Sequence, residues 1–159
     1  MNMSDKDMCQ YKIEEISADD RHLIEQAREA TNLSYSPYSR FAVGAAVLLS
    51  NGQIVKGANQ ENASYPVGIC AERSALCTAQ NLFPGISVEA IALAARNDKG
   101  EYTEKIITPC GMCRQALSEL EMRYDKEIRI LMSSADEALV VRSVKALLPF
   151  SFQQKCDSN

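Results

Sequence analysis

The sequence predicts an α/β fold in which a mixed β-sheet of about five strands is flanked by helices. Segments with helical spacing of apolar residues alternate with short apolar runs, which is the pattern of helices laid on a sheet. The runs close on turn signals, Asn51-Gly52, Pro84-Gly85 and Asn97 to Gly100, so they are short and separate. At 159 residues with 46% hydrophobic side chains, the chain can fill one core but not two ordinary domains.

The elements follow in order. Ser17 before Ala18-Asp19-Asp20 reads as an N-cap with acids in the first turn. Leu23, Ile24, Ala27, Ala30 and Thr31 then share one face of a helix ending near Ser34. "FAVGAAVLL" is an apolar run stopped by Asn51-Gly52, and "QIVKGAN" alternates behind it, so the two make a hairpin. Gly44 inside the first strand marks a close approach of another backbone. From Cys70 to about Leu82, Ala71, Ala75, Leu76 and Ala79 have helical spacing.

"ISVEAIALAAR" is a buried strand. A further helix starts at Pro109 or Cys110, where proline suits the first turn, and turns Leu117, Leu120 and Met122 inward. "EIRILM" and "ALVVRS" are strands, and "VKALL" is a short helix stopped by Pro149. No repeat or low-complexity tract interrupts the chain. The expected organisation is a mobile N-terminal extension over 1–16, one domain over 17–152 and a tail over 153–159.

A net charge of -4 argues against a protein that grips nucleic acid through its phosphates, which needs a concentrated basic face. The first sixteen residues carry Asp5, Asp7, Glu14 and Glu15 without an apolar run, and no stretch of roughly 18 apolar residues occurs anywhere. The expectation is therefore a cytoplasmic protein that engages neither membrane nor nucleic acid. Its six cysteines are then read as reduced: ligands, nucleophiles or small core residues.

Cys110 and Cys113 form a Cys-x-x-Cys pair, which alone fits a redox dithiol, half a zinc site or chance. Cys70 and this pair each fall at the expected start of a helix, where the positive end of the dipole favours thiolate. Two such helix ends could bring three thiolates to one ion. Three protein ligands are one fewer than a closed structural zinc site uses, and that count points to catalysis. Glu72, two residues after Cys70, would stand near the metal without ligating it and could move a proton; its plain alternative is a solvated first-turn acid.

Arg73 and Arg114 each follow a motif and are candidates to hydrogen-bond the sulfurs and offset their charge, Arg114 being as well read as a surface arginine. Cys77, seven residues after Cys70, reads as a buried small side chain. Cys9 and Cys156 read as idle in polar tails, and the sole histidine, His22, as solvent-facing.

The stretches "YSPYSRFAVGAA", "GANQENASYPVGICAERSAL", "TPCGMCRQ" and "LLPFSF", in this order, resemble the small, homotetrameric class of cytidine deaminases. The resemblance implies a three-layer α/β/α fold and one Zn2+ per chain on Cys70, Cys110 and Cys113. Cys70 stands where other zinc deaminases place histidine. It implies Glu72 as the proton shuttle in hydrolytic deamination of cytidine and deoxycytidine, with release of ammonia, in pyrimidine salvage.

By the same resemblance Asn59 and Glu61 grip the ribose 3'-hydroxyl, Phe41 packs on the pyrimidine, and Ala71 belongs to the substrate site. Ala63 and Tyr65 help close that site across a subunit boundary, and Phe152 reaches a neighbour's active site in a homotetramer. Met112 and Thr108 depart from the family's usual small residue and serine without touching a ligand. The competing readings are another aminopyrimidine nucleoside as substrate, a non-enzymatic zinc module, or a dithiol reductase on Cys110 and Cys113.

Overall fold

In the computed structural model, which describes residues 7–154, a six-stranded sheet carries helices on both faces. The elements are β1 (Met8–Lys12), α1 (Ala18–Ala30), β2 (Ala42–Leu49), β3 (Ile54–Ala58), α2 (Ala71–Leu82), β4 (Val88–Arg96), α3 (Gly111–Tyr124), β5 (Arg129–Ser133) and β6 (Glu137–Val141). The strand order is β1-β6-β5-β4-β2-β3, with β4 and β5 parallel and every other pair antiparallel. This is the mixed α/β sheet expected, with one strand more. Asp5 and Cys156 lie outside the described residues.

The extra strand is β1, from the part read as a mobile extension. It pairs with β6 from Met8 opposite Val141 to Lys12 opposite Glu137, and Met8 packs on the core. An edge strand buries little, and Gln10, Tyr11 and Lys12 are exposed, so it leaves no apolar run by which to recognise it.

Side-chain size sorts the two helix layers. Along β4, Ala90, Ala92 and Ala94 face α1, joined by Ala46 of β2 and Ala27 of α1. Ile91 and Leu93 face the other way into the larger cluster with Ala75 and Leu76 of α2 and Leu117 of α3. The small residues bring α1 close to the sheet. A Cβ on Gly44 would overlap the Ala27 carbonyl oxygen and lie 2.6 Å from the Thr31 nitrogen, so the backbone approach expected there is real and only glycine allows it. Gly57 does the same for α2 on the opposite face, where a Cβ would lie 2.8 Å from the Ala71 carbonyl oxygen.

Ser17 caps α1 as its sequence suggests, its Oγ accepting from the Asp20 N–H at 3.1 Å. The hairpin turns at Gly52 with φ 82, a left-handed conformation that suits glycine. The "VKALL" segment is a single 3-10 turn over Val144–Ala146.

On α3 it is Glu121 rather than Met122 that is buried. Its carboxylate accepts from the Ile128 N–H at 2.9 Å, the Val144 N–H at 3.0 Å and the Ser143 hydroxyl at 2.8 Å, which satisfies an acid that would otherwise be costly to bury. No helix among the described residues is long and apolar enough to cross a membrane.

Candidate metal centre and adjoining pocket

Both helices of the larger layer begin on a cysteine. Cys70 is the N-cap of α2 and Cys110 the N-cap of α3, each with extended backbone, and Cys113 lies in the first turn of α3. The first-turn amides of α3 at Met112 and Cys113 act on the Cys110 sulfur, and the positive dipole end of each helix favours thiolate at its first cysteine. Sγ of Cys70 lies 3.7 Å from Sγ of Cys110, which lies 3.5 Å from Sγ of Cys113. All three sulfurs fall within 4.8 Å of one another.

That arrangement fits zinc. Tetrahedral coordination with zinc–sulfur bonds of about 2.3 Å separates sulfurs by about 3.8 Å. The electrostatics agree. Burial, the Cys110 hydrogen bond and the Glu72 carboxylate push the Cys70 thiol up, and burial with the charges of Glu72 and Cys70 pushes Cys113 up strongly. Only Cys110 is lowered: burial opposes this but is outweighed by the Cys113 and Met112 amides and the neighbouring thiols. Three thiols beside a carboxylate ionise together only with a cation among them.

Glu72, in the first turn of α2, is 5% exposed and is not one of the triad. Burial pushes its carboxyl up, against its own amide and a hydrogen bond with Cys113. Both facts suit a group that carries a proton beside the ion.

Cys70 and Cys110 of the triad line a cavity of about 700 Å³, while Cys113 is buried behind them. Ala71, Glu72, Asn59 and Glu61 line it with these two cysteines, and Phe41 supplies an aromatic side chain to the wall. Arg40, with φ 56, turns the chain just before Phe41. Asn59 is held from three sides: its Oδ1 accepts from the Ser34 hydroxyl at 2.6 Å and the Val43 N–H at 2.9 Å, and its Nδ2 donates to the Phe41 carbonyl at 3.0 Å. One amide hydrogen is left over.

Glu61 accepts from the Tyr38 and Ser39 amides at 2.9 and 3.2 Å through a single oxygen, Oε2. The Ser39 hydroxyl, ahead of these amides, holds its carboxyl below the ordinary value. The pair thus presents a donor and an anionic acceptor together.

The structure places the remaining candidates less centrally. Tyr65 lines the cavity and meets Tyr38 edge to face at 6.3 Å, whereas Ala63 lies exposed nearby and does not line it. Phe152 is 75% exposed and does not line its own chain's cavity. Arg73 is half-buried in the first turn of α2, and its side chain does not line the cavity. Arg114 binds two carbonyls, of Pro109 and Leu147.

Cys77 is exposed rather than buried, because Cys70 is an N-cap and counting two helical turns from it does not reach the inward face of α2. His22 is exposed as expected. Tyr38, Ser39, Ile69 and Ile107 also line the cavity, and neither motif nor resemblance gives them a role. Tyr38 and Ser39 lie in "YSPYSR", where Ser36-Pro37 signals the turn but not that its amides will point at Glu61.

Three comparisons bear on the site. The profile of the family described as "Cytidine and deoxycytidylate deaminase zinc-binding region" matches residues 17–126. The cytidine deaminase of Halalkalibacterium halodurans is 37% identical over 134 residues, covering 84% of this chain and 94% of the relative. That of Mycobacterium tuberculosis is 42% identical over 106 residues, covering 65% of this chain and 74% of the relative.

Among solved structures, cytidine deaminase from Burkholderia pseudomallei superposes with a TM-score of 0.71 at 35% identity, covering 86% of this chain and 100% of that one. The Mycobacterium tuberculosis enzyme does so with a TM-score of 0.65 at 35% identity, covering 87% and 100%.

Proposed function

From the chain's membership of the cytidine deaminase family, whose chemistry is zinc-dependent deamination of cytidine, we propose how its own residues bind and deaminate a free nucleoside. The observation that carries the substrate class is the cavity lining. Among the described residues it holds the acids Glu61 and Glu72 and no lysine or arginine. A sugar hydroxyl suits such walls and a phosphate does not.

Phe41 packs on the pyrimidine, and the Asn59 amide donates to the 3'-hydroxyl while Glu61 accepts from it. Ala71 lies at the inner end, beside the ring edge. Cys70, Cys110 and Cys113 would hold one zinc, which when bound would lower the pKa of a water so that it can attack the amine-bearing ring carbon. Glu72 takes one proton from the attacking water and delivers it to ring N3, then takes the second from the hydroxyl now on the ring carbon and passes it to the amine, so the carbon–nitrogen bond breaks, ammonia leaves and the product carries a carbonyl. Its raised carboxyl suits both giving and taking. Arg73 is assigned to offset the charge that three thiolates leave on the ion.

We further propose a homotetramer. Tyr65, Val67 and Met112 are exposed large apolar side chains near the cavity, and Phe150 and Phe152 are exposed at the chain's end. Such side chains are expected to be covered by another copy. Phe152 and the Ala63–Tyr65 segment then complete a neighbour's pocket. Sedimentation of a fully active monomer would contradict this. Reduced thiols at the site suit the cytoplasm, and recovery of the protein only from an oxidising compartment would count against it.

Metal content and loss of cytidine's ultraviolet absorbance, measured on one preparation, test the function. One zinc per chain is expected, with turnover of cytidine, and with kcat/KM for cytidine monophosphate lower by about 100-fold or more, as like-charge apposition implies. Equal efficiency on the monophosphate would remove the argument from the lining. One zinc without turnover of cytidine would reject the nucleoside assignment.

A further inference from the structure

Immediately after Cys113, α3 carries two side chains directed at the end of the chain. Arg114 Nε donates to the Pro109 carbonyl at 2.9 Å, and its Nη1 donates to the Leu147 carbonyl at 3.2 Å. Gln115 Nε2 donates to the Phe152 carbonyl at 2.8 Å. Further along the same helix, Glu121 accepts from Ser143 and Val144. Residues 143–152 are thereby tied to α3 at three places along their length.

The Arg114 bonds differ in kind from the others because they are shared. Pro109 is buried and directly precedes Cys110, the N-cap ligand, so fixing its carbonyl fixes the peptide plane from which Cys110 extends. The same guanidinium fixes Leu147. Its planar fork presents Nε and Nη1 in set directions, which a lysine ammonium on a flexible stem does not reproduce.

We infer that Arg114 is a positioning residue that couples the sulfur triad to the C-terminal segment, so that filling the triad with zinc and docking residues 143–152 each strengthen the other. This rests on the zinc reading above. Two events that share one rigid group and are both completed by it have a coupling free energy, and the coupling is reciprocal. Arg114 reaches neither sulfur nor substrate in this arrangement; it acts through two carbonyls.

The test uses the full-length protein and two readouts other than turnover: the rate at which zinc passes to a chromogenic chelator, and hydrogen exchange of peptides from 143–152. In the unsubstituted protein, removing zinc is expected to speed exchange of that segment by about 5-fold or more, the low end of typical coupling. In Arg114→Lys, zinc should leave about 10-fold faster and the segment should exchange rapidly with or without zinc. In Gln115→Ala, faster exchange should be confined to the end near Phe152, with zinc release unchanged.

Arg114→Lys with unaltered zinc release and unaltered exchange would overturn the inference. So would an unsubstituted segment whose exchange ignores zinc, a result that needs no variant. A native chain that takes up no zinc would instead reject the metal reading, and this inference with it.

Discussion

Glu72→Ala should keep one zinc per chain and lose at least about 100- to 10,000-fold in kcat, the range for removing a general acid or base. The larger end is expected, because the same carboxyl handles the proton at ring N3, the proton of the attacking water and the proton of the leaving amine. Zinc should stay because Glu72 is not in the triad, whose three sulfurs are all within 4.8 Å. Removing a buried carboxyl that pushes Cys70 and Cys113 up should, if anything, ease thiolate formation. Metal analysis beside steady-state kinetics checks both halves. Near-normal turnover with zinc bound would sink the assignment of Glu72; lost zinc would mean that it belongs to the metal site.

Gly57→Ala should lower both thermal stability and turnover, although residue 57 does not line the cavity. The added Cβ would overlap the Ala75 nitrogen and press on the Ala71 carbonyl oxygen at 2.8 Å, both backbone atoms of α2 that no side-chain rotation relieves. The helix must move away from β3. Overpacking of this kind costs about 1–3 kcal/mol. Because Cys70 caps α2 and Glu72 lies in its first turn, the displacement shifts both relative to the α3 sulfurs. A misplacement of about 1 Å at a reacting group costs about 100-fold. Melting curves and kinetics on the same sample decide. Stability and kcat both equal to those of the parent would show that α2 is not seated on Gly57.

What could be read before the fold was known divides by the range of the interaction. Ser17 capping α1, the Asn51-Gly52 hairpin and the apolar face of α1 are decided within a few residues, and they stand as read. Gly44 is an intermediate case: a glycine in an apolar strand says that some backbone comes close, while the identity of that backbone, α1 at Ala27 to Thr31, is tertiary. The metal triad was legible because ligand spacing within "CGMC" and a second cysteine at a helix start are local features.

β1 was missed because an edge strand needs no apolar alternation. Glu121 was missed because a buried acid looks like a solvated one until its three donors arrive from β5's approach and the 3-10 turn. Asn59 and Glu61, proposed above to hold the sugar, stand out only through resemblance, since nothing in "NQEN" itself announces that Ser34, Val43 and Phe41 will orient Asn59. Arg114 reads from the sequence as a partner for the sulfurs or a surface arginine, and its bond to the Leu147 carbonyl depends on where residue 147 comes to lie.

The near contact of Cys70 with Cys110, at 3.7 Å, has a mechanical side as well as a chemical one. The two residues are 40 positions apart, and β4 is threaded between them. An ion shared by both sulfurs is therefore a cross-link that closes a long loop. By the chain-entropy relation used for disulfides, closing a loop of that length takes about 4 kcal/mol of freedom from the unfolded chain. β4 can leave the sheet with that cross-link intact, but the opened chain is then a closed loop with less freedom to gain, so the loaded protein is expected to resist unfolding more than the same chain stripped of its ion.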